Sequence, residues 1–250
     1  MLEKLVEGDL PPVILVDFAM FSTADTMTGL MGVPESRWET YRIDAVQDLE
    51  IHGSLTIARL ADLYAKEIEG LGSRPAAVLG YCSAATLALA LAKRLASGGD
   101  GHAPDVVLVE PTWLTVTMIG QELDALRATL GATGDRPVEL TLDTVLATLT
   151  GDLTTKLAAD GMPEAEIETC VTMLTQRYEA WFGFLFATVD AAVPAPEAPV
   201  SLVVSGASDR GPAPGWTAAQ CSSLRVDVPP GEFLRSPVVR QKIFDLIDRA

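Results

Sequence analysis

Histidine and cysteine, the residues most often used for metal binding and nucleophilic chemistry, are scarce in this sequence of 250 residues. Its three cysteines, Cys82, Cys170 and Cys221, are too few and too widely spaced to form a disulfide framework. Its two histidines, His52 and His102, have no cysteine or histidine close to them in the sequence, so they show no zinc-binding pattern. The sequence therefore predicts neither a disulfide scaffold nor a bound metal.

Positive charge is also scarce. The chain has 18 lysine and arginine residues against 34 acidic residues, which gives a formal net charge of -16. A surface of this charge repels a phosphate backbone and an anionic bilayer. We therefore expect no nucleic acid partner and no membrane partner.

Long apolar runs are limited to one uncharged stretch, residues 75–92. That stretch is marginal in length for a membrane span and contains Gly80, Ser83 and Thr86, so a strand followed by an Ala/Leu-rich helix explains it better. The N-terminal sequence MLEKLVEGDLPP has neither a basic segment nor a long apolar segment of the kind found in secretory signals. These features predict a cytoplasmic protein.

What the sequence does contain is a regular alternation of strand-like and helix-like segments. Apolar strands are predicted at 12–18, 75–81 and 105–111 and a more amphipathic strand at 38–44, with helices at 55–68 and 84–97 between them. Two further strands, at 200–206 and 224–229, and a closing helix follow near the C-terminus. Nearly continuous apolar strands that alternate with helices are typical of a mostly parallel sheet covered on both faces. The predicted fold class is α/β.

The alternation stops between residues 112 and 192, where only helical patterns occur, near 118–130, 138–149, 152–160 and 163–190. The simplest interpretation is one core domain, residues 1–111 and 193–250, with a helical lid subdomain at 112–192 inserted into it. A chain of this length can bury one sizeable core.

The stretch AAVLGYCSAA, residues 76–85, carries the clearest chemical motif. A strand that turns directly into a helix strains the residue at the turn, and small residues two positions on either side let the backbones approach. Gly80 and Ala84 satisfy this requirement around Cys82. A thiol at such a turn lies at the positive end of the helix dipole, and the backbone N–H of Ser83 becomes available to an oxyanion.

At this motif the chain resembles the α/β-hydrolase thioesterases of nonribosomal peptide and polyketide assembly lines. GYCSAATLALALAKRLASGG resembles their Gly-x-Ser-x-Gly turn and helix, LVVSGASDRGPAPGW their acid loop, and VPPGEFLRSP their histidine loop. The resemblance covers residues 10–111 and 198–250. It implies an α/β-hydrolase fold with a mostly parallel central sheet, flanking helices and a variable helical lid.

The sequence departs from the family pattern at two positions. Cys82 stands where most members have serine, although cysteine versions exist. The loop expected to read Gly-Asp-His-Phe reads Gly231-Glu232-Phe233, so the catalytic histidine is missing. A thiol is partly ionised near neutral pH and can be acylated without imidazole. Release of the acyl group to water still requires a base.

Two residues are candidates to replace that base. His52 follows a predicted strand at the sheet end expected for Cys82, and Glu232 occupies the histidine slot; both are also consistent with ordinary surface residues. The resemblance offers two carboxylates for the acid position, Glu110 in VLVEPT and Asp209 in SGASDRG. Either can be a remnant, since such an acid serves to orient imidazole.

The remaining site predictions concern the oxyanion and the acyl group. The second oxyanion donor is expected in the loop after the first strand, at the backbone N–H of Met20 or Phe21. Trp113, Trp181 and Phe182 are candidates to line an apolar acyl channel. Helix packing within the lid is the alternative role for Trp181 and Phe182, which belong to the segment YEAWFGFLF.

Together these observations predict an acyl-thioester enzyme of specialised-metabolite biosynthesis, for example of an antibiotic. Cys82 would accept an acyl or peptidyl group from a carrier protein and pass it on by transfer, cyclisation or slow hydrolysis. No cofactor of its own is expected, because the small-molecule acyl substrate would arrive on the phosphopantetheine of an acyl or peptidyl carrier protein. The alternatives are a catalytically degenerate protein that binds a ligand or partner, and a non-covalent cyclase.

Overall fold

The structure is a computed structural model that describes residues 1–18, 26–33, 36–98, 103–193, 195–196 and 198–248. In this part of the chain seven strands form one sheet in the order β1-β3-β2-β4-β5-β6-β7. Their bounds are β1 Leu2–Val6, β2 Leu10–Asp17, β3 Trp38–Asp44, β4 Ala77–Tyr81, β5 Asp105–Val109, β6 Val200–Ser205 and β7 Cys221–Val226. β1 is antiparallel to β3, and every other neighbouring pair is parallel. The predicted α/β class is confirmed.

Eight α-helices accompany the sheet in the described ranges. They are α1 Met27–Met31, α2 Ala45–His52, α3 Ile57–Glu69, α4 Ala85–Ser97, α5 Val116–Thr129, α6 Leu142–Ala159, α7 Glu164–Asp190 and α8 Pro237–Ile247. Two short 3₁₀ helices span Cys82–Ala84 and Pro230–Arg235. None of the helices in these ranges is both long and apolar enough to span a membrane.

Apolar side chains of the parallel strands form the centre of the core. Residues 13–16 of β2 are completely buried, as expected for a strand covered on both faces. One face of the sheet packs against α8, which buries Val239, Ile243 and Ile247 in the same cluster as Leu79 of β4. The neighbouring residue Gly80 faces the opposite side and lies against α4. Helices therefore cover both faces of the sheet.

The structure differs from the sequence prediction in five elements. β7 spans Cys221–Val226, three residues earlier than the strand predicted at 224–229. β1, α1 and α2 were not predicted, because each is short and lacks a clear apolar period. The helices predicted at 138–149 and 152–160 are one continuous helix, α6. Gly151 does not interrupt it: Thr155 donates a hydrogen bond to the Gly151 carbonyl, and Arg127 forms an ion pair with the adjacent Asp152 at 2.6 Å.

The chain divides into two compact units. The first unit contains residues 1–45, 56–113 and 191–250, and includes the whole sheet. The second contains residues 46–55 and 114–190 and is helical. Residues 46–55 were assigned to the core by the sequence-based division. They group with the second unit, where the Gln176 side chain donates a hydrogen bond to the Glu50 carbonyl.

The close contact between β4 and α4 generates the first prediction. A Cβ at position 80 would lie 2.6 Å from the Cβ of Ala88 and 3.1 Å from the Cα of Ala85. We expect Gly80→Ala to lower the free energy of unfolding by about 1–3 kcal/mol, because strand and helix must separate. Urea unfolding followed by circular dichroism measures this change.

Gly151→Ala is the matched control for this substitution. Nothing lies within 4 Å of a Cβ built at Gly151, so alanine there should stabilise α6 by up to about 1 kcal/mol. A Gly80→Ala variant as stable as the wild type would contradict the close-packing account.

Candidate active site

A strained turn places Cys82 between a strand and a helix. β4 ends at Tyr81 in extended backbone, and Cys82 adopts the left-handed region with φ 52° before α4 begins at Ala85. This conformation is unfavourable for a residue with a side chain and persists only where its surroundings hold it. The Cys82 thiol is half-buried, at the carboxyl end of a central parallel strand. This geometry agrees with the turn predicted from Gly80 and Ala84.

Thr112 makes two hydrogen bonds to Cys82. The Cys82 Sγ donates to the Thr112 Oγ1 at 3.3 Å, and the Thr112 backbone N–H donates to the Cys82 carbonyl at 3.1 Å. Thr112 was not among the site residues predicted from the sequence. The one sequence signal for it was its position two residues after Glu110, a predicted acid at the end of the neighbouring strand β5.

Glu110 follows the last residue of β5, and its carboxylate is almost fully buried, with 8% exposure. One carboxylate oxygen accepts the Ser205 backbone N–H, and the other accepts the Ser208 hydroxyl at 2.9 Å. An Arg210 guanidinium nitrogen lies 3.5 Å from the second oxygen and donates to the Glu110 carbonyl at 2.8 Å. Both oxygens are therefore engaged by groups of β6 and the loop after it.

A cavity of about 280 Å³ adjoins this carboxylate. Its lining residues are Tyr81, Glu110, Ser205, Ser208, Arg210, Phe233 and Leu234. Burial and the nearby charge of Cys82 raise the pKa of Tyr81 to about 12, so this side chain is neutral at physiological pH. The cavity thus has one carboxylate, one cation and an apolar wall.

The apolar wall is formed by Phe233 and Leu234, which belong to the loop that resembles the histidine loop of the family. Sequence analysis put Glu232 in the histidine position of that loop. In the structure Glu232 is exposed in the first turn of the 3₁₀ helix Pro230–Arg235, whereas Phe233 and Leu234 are buried and line the cavity. The structure therefore brings Phe233, and not Glu232, to the side of Glu110.

The other predicted polar residues are dispersed. Asp209 is exposed, beside Ser208 and Arg210, which both contact Glu110. His52 is exposed in the last turn of α2 and belongs to the second unit. Ser83 follows Cys82 directly, and its side chain is buried; its N–H remains a predicted oxyanion donor.

Some predictions fall outside the described residues. Met20 and Phe21, the candidates for the second oxyanion donor, lie in the segment 19–25, and His102 lies in the segment 99–102. Among the residues with described positions, no cluster of three or more His, Cys, Asp or Glu side chains is placed to hold a metal ion.

The three predicted pocket aromatics occur in both units. Trp113 belongs to the first unit, donates a hydrogen bond to the Gly211 carbonyl at 2.8 Å and packs against Trp216 with ring centroids 5.4 Å apart. Trp181 and Phe182 are buried in α7 of the second unit, where Trp181 stacks on Phe184. Their role in lining an acyl channel stays a prediction.

Asp17 is a buried carboxyl that sequence analysis missed. It ends β2, is 1% exposed, and accepts the backbone N–H groups of Phe18 and Met27 at 2.7 Å each. Burial raises the pKa of Asp17 to about 6; the two N–H groups and Arg42 oppose this shift, and Asp44 adds to it. The sequence signal for a site residue here was its position at the carboxyl end of an apolar parallel strand. Such folds place their sites at that edge of the sheet.

Known proteins resemble this chain in structure. The sequence matches no protein-family model, and no curated protein matches it. The thioesterase domain of NocB, in covalent complex with a fluorophosphonate nocardicin G analog, matches with a TM-score of 0.57 at 17% identity, covering 100% of this chain and 98% of that domain. The Vlm2 thioesterase domain with genetically encoded 2,3-diaminopropionic acid, bound with a dodecadepsipeptide, matches with a TM-score of 0.53 at 13% identity, covering 99% and 96%.

A third match is a four-domain nonribosomal peptide synthetase bound to AMP and glycine, with a TM-score of 0.63 at 14% identity. The match covers 99% of this chain but only 20% of the synthetase chain. At these identities the matches show the fold. The chain has the α/β-hydrolase-like fold of thioesterase domains, as the resemblance implied.

The raised pKa of Asp17 predicts a pH-dependent stability. Burial raises this pKa from its ordinary 3.8 to about 6, so the neutral carboxyl favours the folded state. The resulting stabilisation is fully present below about pH 4 and is lost as the pH rises through about 6. From pH 4 to pH 7 we expect the wild type to lose about 2 kcal/mol of unfolding free energy relative to Asp17→Asn.

Urea unfolding of both proteins between pH 4 and pH 7 measures this difference. Titrations common to both chains cancel in the comparison. A difference that stays constant over this range would contradict the assignment of a raised pKa to Asp17.

Proposed function

We propose that this protein is an enzyme of acyl-thioester chemistry in the biosynthesis of specialised metabolites such as antibiotics. In this proposal Cys82 accepts an acyl or peptidyl group and passes it on by transfer, cyclisation or slow hydrolysis. The observation that carries the proposal is a half-buried thiol held at φ 52° on a strand-to-helix turn. The likeness to thioesterase domains over nearly their full length supports it, and one of them forms a covalent complex with a fluorophosphonate nocardicin G analog.

The first step requires only the thiol. A free thiol has a pKa of roughly 8.5 and is a few per cent ionised at neutral pH, so it can react without a neighbouring base. After its proton passes to solvent, the sulfur attacks the carbonyl carbon of a thioester and forms a new S–C bond. The tetrahedral intermediate then collapses, the original C–S bond breaks, and the departing thiolate takes a proton from solvent. One thioester replaces another, so the reaction is close to isoenergetic.

The surroundings of the site favour transfer over hydrolysis. Attack by water on an acyl-cysteine requires a base to remove a proton from the water. The carboxylate at the cavity, Glu110, already accepts hydrogen bonds at both oxygens, and Phe233 presents hydrocarbon beside it. An amine, a thiol or a carbanion is a better nucleophile than water and depends less on such a base. The acyl group would therefore leave mainly to one of these acceptors.

The proposed donor is an acyl or peptidyl carrier protein, and the small-molecule acyl group would be attached to its phosphopantetheine. The protein itself would then need no cofactor. The formal net charge of -16 means that an acidic carrier must dock at a locally basic surface. Arg235, Arg240 and Lys242, on the last 3₁₀ helix and α8, are the candidates for that surface.

A second candidate function is binding without catalysis. The observation that favours it is the partner of the thiol: among the described residues, Cys82 hydrogen-bonds to a threonine hydroxyl and not to a base. A ligand- or partner-binding protein with a degenerate site would have this arrangement. A non-covalent cyclase, which guides a bound substrate without attacking it, is the third possibility.

Acyl loading of Cys82 is the central prediction. We expect an N-acetylcysteamine thioester or an acylated carrier protein to add one acyl mass to the wild type, detected by intact-protein mass spectrometry. Cys82→Ala should abolish the adduct, because it removes the attacking sulfur. Cys221→Ala is the matched control: its thiol is also partly exposed, and its removal should leave the adduct in place.

The other outcomes separate the alternative functions. Absence of any Cys82-dependent adduct, together with thioester turnover at the background rate, would favour a binding protein. Product formation that survives Cys82→Ala would favour the non-covalent cyclase.

Position 233 is expected to control the fate of the acyl group. Phe233→His would place an imidazole on the cavity wall shared with Glu110, where it can activate water. We expect hydrolysis of the acyl adduct to accelerate at least about tenfold, measured as decay of the adduct mass after excess thioester is removed.

Phe244→His is the control, since Phe244 packs on the same core cluster but is not among the cavity-lining residues. An equal acceleration in both variants would show that general loosening of the core, and not the imidazole at position 233, admits water.

A further inference from the structure

Two neighbouring strands end in the same unusual backbone conformation. Tyr81 of β4 and Val109 of β5 are the last register partners of the two strands. The next residues, Cys82 and Glu110, have φ values of 52° and 47°, and in the described chain no other non-glycine residue has a positive φ. Each such residue costs of order 1–3 kcal/mol and persists only where several contacts hold it.

The contacts that hold Glu110 come from β6 and the loop that follows. Its backbone N–H donates to the Val203 carbonyl at 2.9 Å, and its carboxylate accepts the Ser205 N–H and the Ser208 hydroxyl. Its carbonyl accepts a hydrogen bond from Arg210 at 2.8 Å. Every polar group of Glu110 is thus bonded, so its conformation is fixed without any imidazole partner.

The fixed turn at Glu110 directs the chain back toward the thiol. Two residues later, Thr112 bonds to Cys82 through both its backbone N–H, at 3.1 Å to the carbonyl, and its hydroxyl, at 3.3 Å to Sγ. A threonine hydroxyl can rotate, so it can either accept a hydrogen bond from a neighbour or donate one. It can therefore accept the S–H of the thiol and donate to the sulfur after the thiol proton has left.

We propose that Thr112 is a catalytic residue whose hydroxyl stabilises the Cys82 thiolate, and that Glu110 is a positioning residue that holds Thr112 there. In this arrangement Glu110 acts through the chain, not as an acid that orients a base. The catalytic role of Thr112 rests on the function proposed above. The contact of Thr112 with the Cys82 sulfur, and the stabilisation of the thiolate proposed from it, do not depend on that function.

The direct test is the pH dependence of alkylation. Iodoacetamide reacts with the thiolate, so the rate at Cys82, followed by peptide mass spectrometry, reports the fraction ionised. Thr112→Val keeps the shape of the side chain and removes the hydroxyl. We expect it to move the midpoint of the rate profile up by about one pH unit and to slow alkylation at pH 7 by about tenfold, which corresponds to about 1.4 kcal/mol.

Three comparisons distinguish this role from a structural one. Thr112→Ser retains the hydroxyl and should restore the wild-type profile. Cys221 in the same sample is an internal control, and its alkylation should be unchanged in every variant. Circular dichroism and the melting temperature establish that each variant is folded.

The positioning role of Glu110 is tested by a double-mutant cycle. Glu110→Gln should slow Cys82 alkylation in the same direction as Thr112→Val, and the double variant should be no slower than Thr112→Val alone. Ser208→Ala, which removes one of the hydrogen bonds to the carboxylate, is a milder substitution with the same expected direction if Glu110→Gln does not fold. Additive effects of Glu110→Gln and Thr112→Val would contradict the positioning role.

The outcomes separate this inference from the proposed function. Profiles of Thr112→Val and the wild type that coincide would overturn the role of Thr112 even if acyl loading of Cys82 succeeds. A Thr112-dependent profile in a protein that forms no acyl adduct would show that Thr112 promotes ionisation of the thiol. It would refute the acyl-transfer function and, with it, the catalytic role of Thr112.

Discussion

The left-handed backbone at Cys82 is the constraint on which the site depends. A residue at φ 52° can end a strand and begin a helix with no intervening loop, so its side chain stands at the edge of the sheet. This turn requires α4 to lie against β4, and Gly80 permits that contact because any larger residue would overlap Ala88. The position of the thiol thus follows from the packing of a buried strand.

The register of the parallel strands supplies the contacts that hold the strained backbone at Glu110, and it also places the groups that line the cavity. β5 and β6 are neighbours in parallel register, so the end of β6 lies beside the end of β5. The Ser205 N–H at that end reaches Glu110, and the loop after it supplies Ser208 and Arg210. One face of the same strands packs on α8, and the 3₁₀ helix that leads into α8 brings Phe233 to the cavity.

Most of the strands and the turn at Cys82 could be predicted from the sequence because they depend on local residue patterns. Apolar and amphipathic strand patterns predicted β2 to β6 within a few residues, and Gly80 and Ala84 around Cys82 indicated the turn. Residues whose placement depends on tertiary contacts could not be found in this way. Thr112 reaches Cys82 only because β4 and β5 are adjacent in the sheet. Whether Glu232 or Phe233 faces the cavity depends on a 3₁₀ helix, in which each residue rotates the side-chain direction by about 120°. Sequence spacing alone does not fix that rotation.

The two departures from the thioesterase pattern that the sequence resemblance implies are physically related in the function proposed above. A serine hydroxyl is a very weak nucleophile without a base, so a site without imidazole would be inert with serine at position 82. A thiol ionises far more readily and needs only groups that stabilise its anion, such as a helix N-terminus or a donated hydroxyl proton. In that proposal, the lack of a base also removes the means of activating water. Under the proposed function, a cysteine at the turn after β4 is therefore suited to holding an acyl group until a stronger nucleophile than water arrives.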